Sequence, residues 1–192
     1  MKTRESGMPD EAMWQTFFSP TEVLLALGLR NDMSDVVDFG CGYGTFTIPA
    51  AKIVTGTVHA FDIEADMIAA TRDKARRLNV SNIRFYQRDF VSDGTGLSDT
   101  STDYVMLFNI LHAEEPDMLL AEAFRILRPN RILGIMHWNY DPTTPRGPSM
   151  DIRPRPEQCA GWAENAGFVI VKPLVDLPPY HYGIVTKKGS SR

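Results

Sequence analysis

The stretch VVDFGCGYGTF, residues 36–46, decides the fold of this chain. It begins with four mostly apolar residues of the types found in buried strands, and it ends where a helix-like pattern begins. Gly40, Gly42 and Gly44 lie between these two parts. Glycines let the backbone pass close to a ligand, and the free N–H groups at a helix start point into the same space. The stretch therefore predicts a strand, turn and helix that cradle a nucleotide-like ligand.

The spacing of the glycines indicates which ligand is held. Dinucleotide-binding turns follow the pattern G-x-G-x-x-G/A, with the third small residue close to a pyrophosphate. Here Thr45 stands at the sixth position, and the third glycine comes one residue early, at Gly44. The run D-x-G-x-G-x-G from Asp38 to Gly44 instead resembles motif I of the class I S-adenosylmethionine-dependent methyltransferases. On this stretch alone, a turn with a purely structural purpose is the alternative.

Composition sets bounds on the class of protein. A chain of 192 residues is large enough for one domain with a proper core. A formal net charge of −4 argues against a general attraction to nucleic acid. We expect no membrane span and no leader peptide, and hence a cytoplasmic protein. Cys41 and Cys159 lack the spacing of a disulfide framework or zinc site, so we expect no metal.

The resemblance implies a fold and a domain organisation. Class I methyltransferases have an α/β, three-layer Rossmann-like fold with a seven-stranded, mostly parallel sheet of order 3-2-1-4-5-7-6. Strand seven is antiparallel, and the resemblance covers about residues 33–187. We therefore expect an S-adenosylmethionine-binding methyltransferase domain over residues 33–192, preceded by a helical segment over residues 1–32. The aromatic residues of that segment would form either a lid over the ligand or a staple that closes the core.

Acidic residues follow the second and third predicted strands. Asp62 lies about twenty residues after the first glycine, where this architecture places a ribose-binding acid. Its alternative role is to cap the next helix. Asp89 and Phe90 resemble the pair that takes the adenine amino group and offers a backbone amide to the ring. Their alternative roles are a turn-forming acid and a core aromatic.

The resemblance thus implies S-adenosylmethionine as the cofactor, with S-adenosylhomocysteine as its product. The stretches F-D-I-E-A-D-M-I and N-I-L-H-A look most like the branch that includes the ubiquinone/menaquinone-biosynthesis type. The residues implied in cofactor binding are Asp38, Gly40, Gly42, Tyr43, Gly44, Asp62, Ile63, Met67, Asp89, Phe90 and Asn109.

One histidine is the candidate catalytic residue. His112 follows the fourth predicted strand at the sheet edge where open α/β sheets bind ligands, and an ordinary histidine pKa suits a general base. A hydrogen-bonded histidine that anchors the loop is the alternative. Acceptor-side candidates are Trp138, Tyr140 and, more weakly, His181.

The irregular stretch of residues 139–155 contains three arginines. Arg146, Arg153 and Arg155 could hold an anionic substrate, although arginines that keep a proline-rich surface loop soluble are more common. Long loops of this kind are usually functional or disordered.

The favoured function is methyl transfer to a small-molecule acceptor by in-line displacement. The alternative is a non-catalytic S-adenosylmethionine sensor or partner subunit. A nicotinamide enzyme is disfavoured by Thr45 and by the lack of a Tyr-x-x-x-Lys pair. An RNA methyltransferase has no basic stretch to support it. No motif indicates the acceptor or the oligomeric state.

Overall fold

A computed structural model describes residues 9–189 of the chain. Residues 1–8 of the expected N-terminal segment and residues 190–192 lie outside this range. The strands within it are β1 (Asp35–Phe39), β2 (Thr57–Asp62), β3 (Ile83–Gln87), β4 (Thr102–Phe108), β5 (Leu127–Trp138), β6 (Phe168–Leu177) and β7 (His181–Lys188). The helices are α1 (Glu11–Gln15), α2 (Pro20–Ala26), α3 (Thr47–Ile53), α4 (Ala65–Arg77), α5 (Pro116–Ile126) and α6 (Pro156–Asn165).

The strands form one sheet of order β3-β2-β1-β4-β5-β7-β6. Neighbouring strands from β3 to β5 are parallel, whereas β7 is antiparallel to both β5 and β6. The predicted seven-stranded, mostly parallel sheet with an antiparallel strand seven is therefore confirmed. None of the helices between residues 9 and 189 is long and apolar enough to cross a membrane.

The core lies on both faces of the sheet. Every residue of β4 is buried, as expected for a central parallel strand that is covered on both sides. Successive residues of β1 point to opposite faces, so Val36 joins one apolar cluster and Val37 the other. Helices α2 and α3 contribute to the first cluster, and α5 and α6 contribute to the second.

The sequence pattern predicts the second strand over residues 54–62 and the fifth strand over residues 131–138, and both strands begin at other residues. Strand β5 begins at Leu127 rather than Arg131, because Leu127 already pairs with Thr102 of β4 as the chain leaves α5. Strand β2 begins at Thr57 rather than Val54, because Val54 is taken up as the C-cap of α3. Neither change moves the carboxyl end of a strand, which is where ligands bind in this architecture.

The aromatic residues before β1 close one end of the core. Phe17 and Phe18 are buried, and their rings lie 5.4 and 6.5 Å from the ring of Trp138. Trp14 is only half-buried and packs 6.4 Å from the same ring. The two phenylalanines are thus positioned as a staple that closes the core. Trp14 instead lines a cavity at the carboxyl ends of the central strands.

We expect Gly44→Ala to lower the free energy of unfolding by about 1–3 kcal/mol. Gly44 has a φ of +74°, and an added Cβ would lie 2.7 Å from Cγ2 of Thr71 on α4. Gly161→Ala on α6 is the matched control, because a Cβ there meets nothing within 4 Å. Helix propensity should make that variant more stable by roughly 0.5–1 kcal/mol. Urea unfolding of both variants checks this, and an unchanged stability of Gly44→Ala would contradict it.

Candidate active site

A cavity of about 290 Å³ opens at the carboxyl ends of the central strands. This volume is close to the lower end of the range for small-molecule sites. Its walls combine residues that are distant in sequence, since strands β1 to β5 all end at this edge. Of the residues that the sequence predicts for the site, those lining the cavity are Asp38, Gly40, Gly42, Asp62, Ile63, Asp89, Phe90, Asn109, His112 and Trp138.

Three of the residues proposed for cofactor binding lie outside the cavity wall. The Tyr43 hydroxyl donates to the Pro9 carbonyl oxygen at 3.2 Å. Gly44 packs against Thr71, as described above, and Met67 on α4 is half-buried. The structure therefore shows a hydrogen bond to Pro9 for Tyr43 and close packing against Thr71 for Gly44, and their part in cofactor binding stays a prediction.

The glycine turn is held by side chains from β2 and α4. The Gly42 N–H donates to Oδ2 of Asp62 at 2.9 Å, and the Thr71 hydroxyl donates to the Gly42 carbonyl at 2.6 Å. The other oxygen of Asp62 accepts the Glu64 N–H at 3.0 Å. Asp62 therefore does stabilise the start of the next turn, and each carboxylate oxygen has a second lone pair for a ligand.

Asp38 is a second acid beside the turn, and it is 3% exposed. It accepts a hydrogen bond from the Thr47 hydroxyl at 2.6 Å. Burial raises the pKa of Asp38 to about 7, with a further contribution from the charge of Asp62 and an opposing one from Thr47. Burial also raises the pKa of Asp62, although its backbone hydrogen bonds oppose the shift. Two partly desolvated acids at one end of the cavity favour a cationic ligand there.

Asn109 provides a polar side chain in need of a partner. It follows β4 with a φ of +55°, and its N–H donates to the Met136 carbonyl at 2.8 Å. Its side-chain amide is buried, and neither Oδ1 nor Nδ2 has a hydrogen-bond partner among the described residues. Buried amides are almost always hydrogen-bonded in folded proteins, and this one lines the cavity. The arrangement fits a polar ligand that supplies the missing hydrogen bonds.

Asp89 and Phe90 serve the local structure as well as the cavity. Oδ1 of Asp89 accepts the N–H groups of Val91 and Ser92, each at 3.2 Å. Phe90 is buried, with its ring 5.1 Å from that of Phe39. Both residues still line the cavity, so the turn and core roles do not remove them from the site.

His112 pairs with a histidine that sequence reasoning missed. Nδ1 of His112 lies 3.2 Å from Nε2 of His137, on the neighbouring strand β5. His137 is fully buried, and burial together with the nearby His112 lowers its pKa well below 6.5. A neutral His137 shares one proton with His112, and the tautomer decides which ring donates. The position of His137 directly before Trp138, at the ligand-binding end of β5, is the feature of the sequence that could have indicated it.

The other two acceptor-side candidates lie away from the cavity. Tyr140 is stacked beneath the guanidinium of Arg155, which lies 3.6 Å from its ring centre. His181 is 1% exposed, and its ring packs 4.2 Å from Trp138 and 4.6 Å from Phe18. Burial, with the charge of Arg153, lowers the pKa of His181 to about 3. His181 therefore belongs to the aromatic core, in cross-strand register with Trp138.

Arg153 organises the irregular loop of residues 139–153. A solubilising role is wrong for this arginine, because it is only 7% exposed. Its guanidinium donates to Thr144 Oγ1 at 2.7 Å and to four backbone carbonyls of the loop, those of Asn139, Asp141, Arg146 and Pro148. Arg146 is exposed and lines the cavity.

The described part of the chain holds no group of three or more His, Cys, Asp or Glu residues placed to bind a metal ion.

Comparison with known proteins agrees with this geometry. Residues 36–130 match the family model described as a methyltransferase domain. Over 92 residues the chain is 39% identical to a ribosomal protein L11 methyltransferase of Methylococcus capsulatus, covering 48% of this chain and 29% of the relative. It is 33% identical over 100 residues to the ubiquinone/menaquinone biosynthesis C-methyltransferase UbiE of Bradyrhizobium diazoefficiens, covering 49% and 38%.

A solved structure supports the same fold over nearly the whole chain. A SAM-dependent methyltransferase from Aquifex aeolicus matches with a TM-score of 0.81 at 24% identity, covering 92% of this chain and 93% of the other. The chain belongs to the class I S-adenosylmethionine-dependent methyltransferases. Within that class it resembles the ubiquinone/menaquinone-type branch. The matches span less than two fifths of the length of both curated relatives.

We expect Asp38→Asn to stabilise the protein increasingly as the pH rises. An acid whose folded pKa is about 7 and whose unfolded pKa is 3.8 takes up a proton on folding. Its contribution therefore makes wild-type stability fall between about pH 4 and pH 7, and the loss is complete above that. The advantage of Asp38→Asn should grow by about 2–3 kcal/mol from pH 5 to pH 8. Urea unfolding at both pH values measures it.

The exposed Asp66→Asn is the control for this experiment, because it makes the same chemical change outside the core. A stability difference between Asp38→Asn and wild type that is equal at pH 5 and pH 8 would contradict the raised pKa.

Proposed function

We propose that the protein transfers the methyl group of S-adenosylmethionine to a small-molecule acceptor. The observation that carries the proposal is the buried amide of Asn109, which has no hydrogen-bond partner among residues 9–189 and lines the same cavity as the acids Asp38 and Asp62. S-Adenosylmethionine has an ammonium and a sulfonium that suit these acids, and ribose and adenine groups that suit hydrogen-bonding side chains. The residues present thus fit this cofactor.

The chain's own contribution is positioning and exclusion of water. When bound, S-adenosylmethionine supplies an activated methyl group that is transferred by in-line displacement. Asp62 would accept hydrogen bonds from the ribose hydroxyls, and the glycine turn that Asp62 fixes would hold the methionyl part. Trp14 and Trp138, which line the other side of the cavity, exclude water from the reacting atoms.

His112 is the proposed general base for an acidic nucleophile such as a phenol or thiol. It lines the cavity and is oriented by the hydrogen bond to His137. Since burial keeps His137 neutral, its Nε2 can accept the Nδ1 proton of His112. In that tautomer the basic nitrogen of His112 is Nε2. A methyl acceptor that is already anionic or neutral would need no base.

The size and charge of the chain favour a small acceptor over a polymer. The cavity is small, and Trp14 and the loop residues Arg146 to Pro148 line its mouth. The net charge of −4 provides no general attraction for RNA. The L11 relative acts on a ribosomal protein by its name, and a macromolecular acceptor is therefore the outcome that an acceptor screen must test against.

Calorimetry tests the cofactor assignment. We expect S-adenosylmethionine and S-adenosylhomocysteine to bind and NADH not to bind. Asp62→Asn should weaken the binding of both by about tenfold or more, because it removes a charge-assisted hydrogen bond while keeping one oxygen for the Gly42 N–H. The exposed Asp66→Asn on α4 should bind normally. Binding of NADH alone would overturn the proposal, and binding without turnover of any acceptor would favour the sensor alternative.

A second variant tests the proposed base. With a phenolic or thiol acceptor, we expect His112→Gln to lower kcat by about 10²–10⁴-fold and to leave the affinity for S-adenosylhomocysteine unchanged. Production of S-adenosylhomocysteine as a function of pH measures the first quantity, and calorimetry measures the second. A normal kcat in the variant would assign His112 to anchoring the loop instead.

A further inference from the structure

The two ends of the cavity carry opposite charge. Asp38, Asp62 and Asp89 stand at the ends of β1, β2 and β3, on the side of the glycine turn. Arg146 also lines the cavity, on the loop that follows β5 and approaches Trp138 through Gly147, and β5 lies on the other side of β4 from those three strands. The acids suit the cationic cofactor, but they do not explain the positively charged side chain of Arg146 at the other end of the cavity. The proposed methyl transfer gives this arginine no role.

The guanidinium of Arg146 has no partner among the described residues. The two acids of the loop have other partners. The Asp141 carboxylate accepts the N–H and the hydroxyl of Thr143, at 2.8 and 2.7 Å, and the Asp151 carboxylate accepts a hydrogen bond from Ser149. The backbone of Arg146 is held, since its carbonyl accepts from Thr144 Oγ1 at 2.9 Å and from Arg153. The residue thus has a fixed backbone and an uncommitted charge at the cavity mouth.

The next residue fixes this backbone against the aromatic wall. Gly147 has a φ of +120°, and an added Cβ would lie 2.7 Å from Nη2 of Arg153 and 3.0 Å from Cγ of Trp138. Only a glycine allows the loop to approach both groups so closely. Arg146 is therefore placed beside the indole of Trp138 by the fold of the loop.

The wall beside Arg146 is aromatic and electropositive, and its two tryptophan rings are tilted by 60° to each other. The rings of Trp14 and Trp138 lie 6.4 Å apart, and both line the cavity. The buried charge of Arg153 also makes this end of the cavity more positive, since it contributes to the lowered pKa of both His137 and His181. A planar apolar ring that carries a negative charge complements such a wall.

We propose that the methyl acceptor is a small aromatic carboxylate. Its ring lies in the angle between the tilted rings of Trp14 and Trp138, and its carboxylate pairs with the guanidinium of Arg146, whose planar fork matches a carboxylate. The acidic end of the cavity then binds the cationic cofactor, and the basic end binds the anionic acceptor. This inference rests on the proposed methyl transfer, and it assigns Arg146 as the residue that selects the acceptor.

Binding of two matched probes tests the assignment. The probes are 4-hydroxybenzoate and its neutral analogue 4-hydroxybenzamide, each titrated by calorimetry into protein saturated with S-adenosylhomocysteine. We expect wild type to bind the acid about tenfold more tightly than the amide, as one charge-assisted hydrogen bond implies. Arg146→Gln should bind the two probes equally. Arg77→Gln, which removes an exposed arginine at the end of α4, is the charge-matched control and should keep the preference.

Several results would overturn the inference. These are equal binding of acid and amide by wild type, no binding of either probe, or an undiminished preference in Arg146→Gln. A weaker affinity of Arg146→Gln for S-adenosylhomocysteine itself would also overturn it, because Arg146 would then serve the carboxylate of the cofactor. Failure of the proposed function looks different, since wild type would then bind neither S-adenosylmethionine nor S-adenosylhomocysteine.

Discussion

The hydrogen bonds of one buried carboxylate hold the cofactor side of this structure together. Asp62 ends β2, and its two oxygens accept N–H groups from Gly42, in the turn after β1, and from Glu64, before α4. The turn is tied again from α4 by the Thr71 hydroxyl. Backbone amides in a buried turn need such partners. This small set of contacts therefore holds the glycine turn and the start of α4 in place relative to the end of β2.

The cofactor half was accessible from sequence because its determinants are local. Glycines at alternate positions and an acid at the end of each strand are patterns of a few residues, and parallel strands bring their carboxyl ends to one edge. Asp38, Asp62 and Asp89 accordingly meet in one cavity. The sequence pattern could not distinguish the residues that line the cavity from those that only hold the glycine turn in place, however. Gly44 belongs to the motif, yet its place is set by Thr71, 27 positions further along the chain.

The acceptor half depends on contacts that no local pattern reveals. His137 meets His112 only because β4 and β5 are neighbours, and His181 is buried because antiparallel pairing puts it opposite Trp138. Arg153 looks like a surface arginine in sequence. Its burial requires a loop that turns its carbonyls inward, which the sequence alone does not specify. The family match also ends at residue 130, before most of this half begins.

The loop that Arg153 holds has a consequence for how this protein could change. The Arg153 guanidinium, the Thr144 hydroxyl and Gly147 together hold the inward carbonyls of residues 139–153, so the frame of the loop does not depend on an exposed side chain such as that of Arg146. On the proposed function, substitutions at such exposed positions would change the choice of acceptor while the sheet and the cofactor turn stay intact. Framework and specificity are separable here, which makes the loop the natural target for directed evolution toward new methyl acceptors.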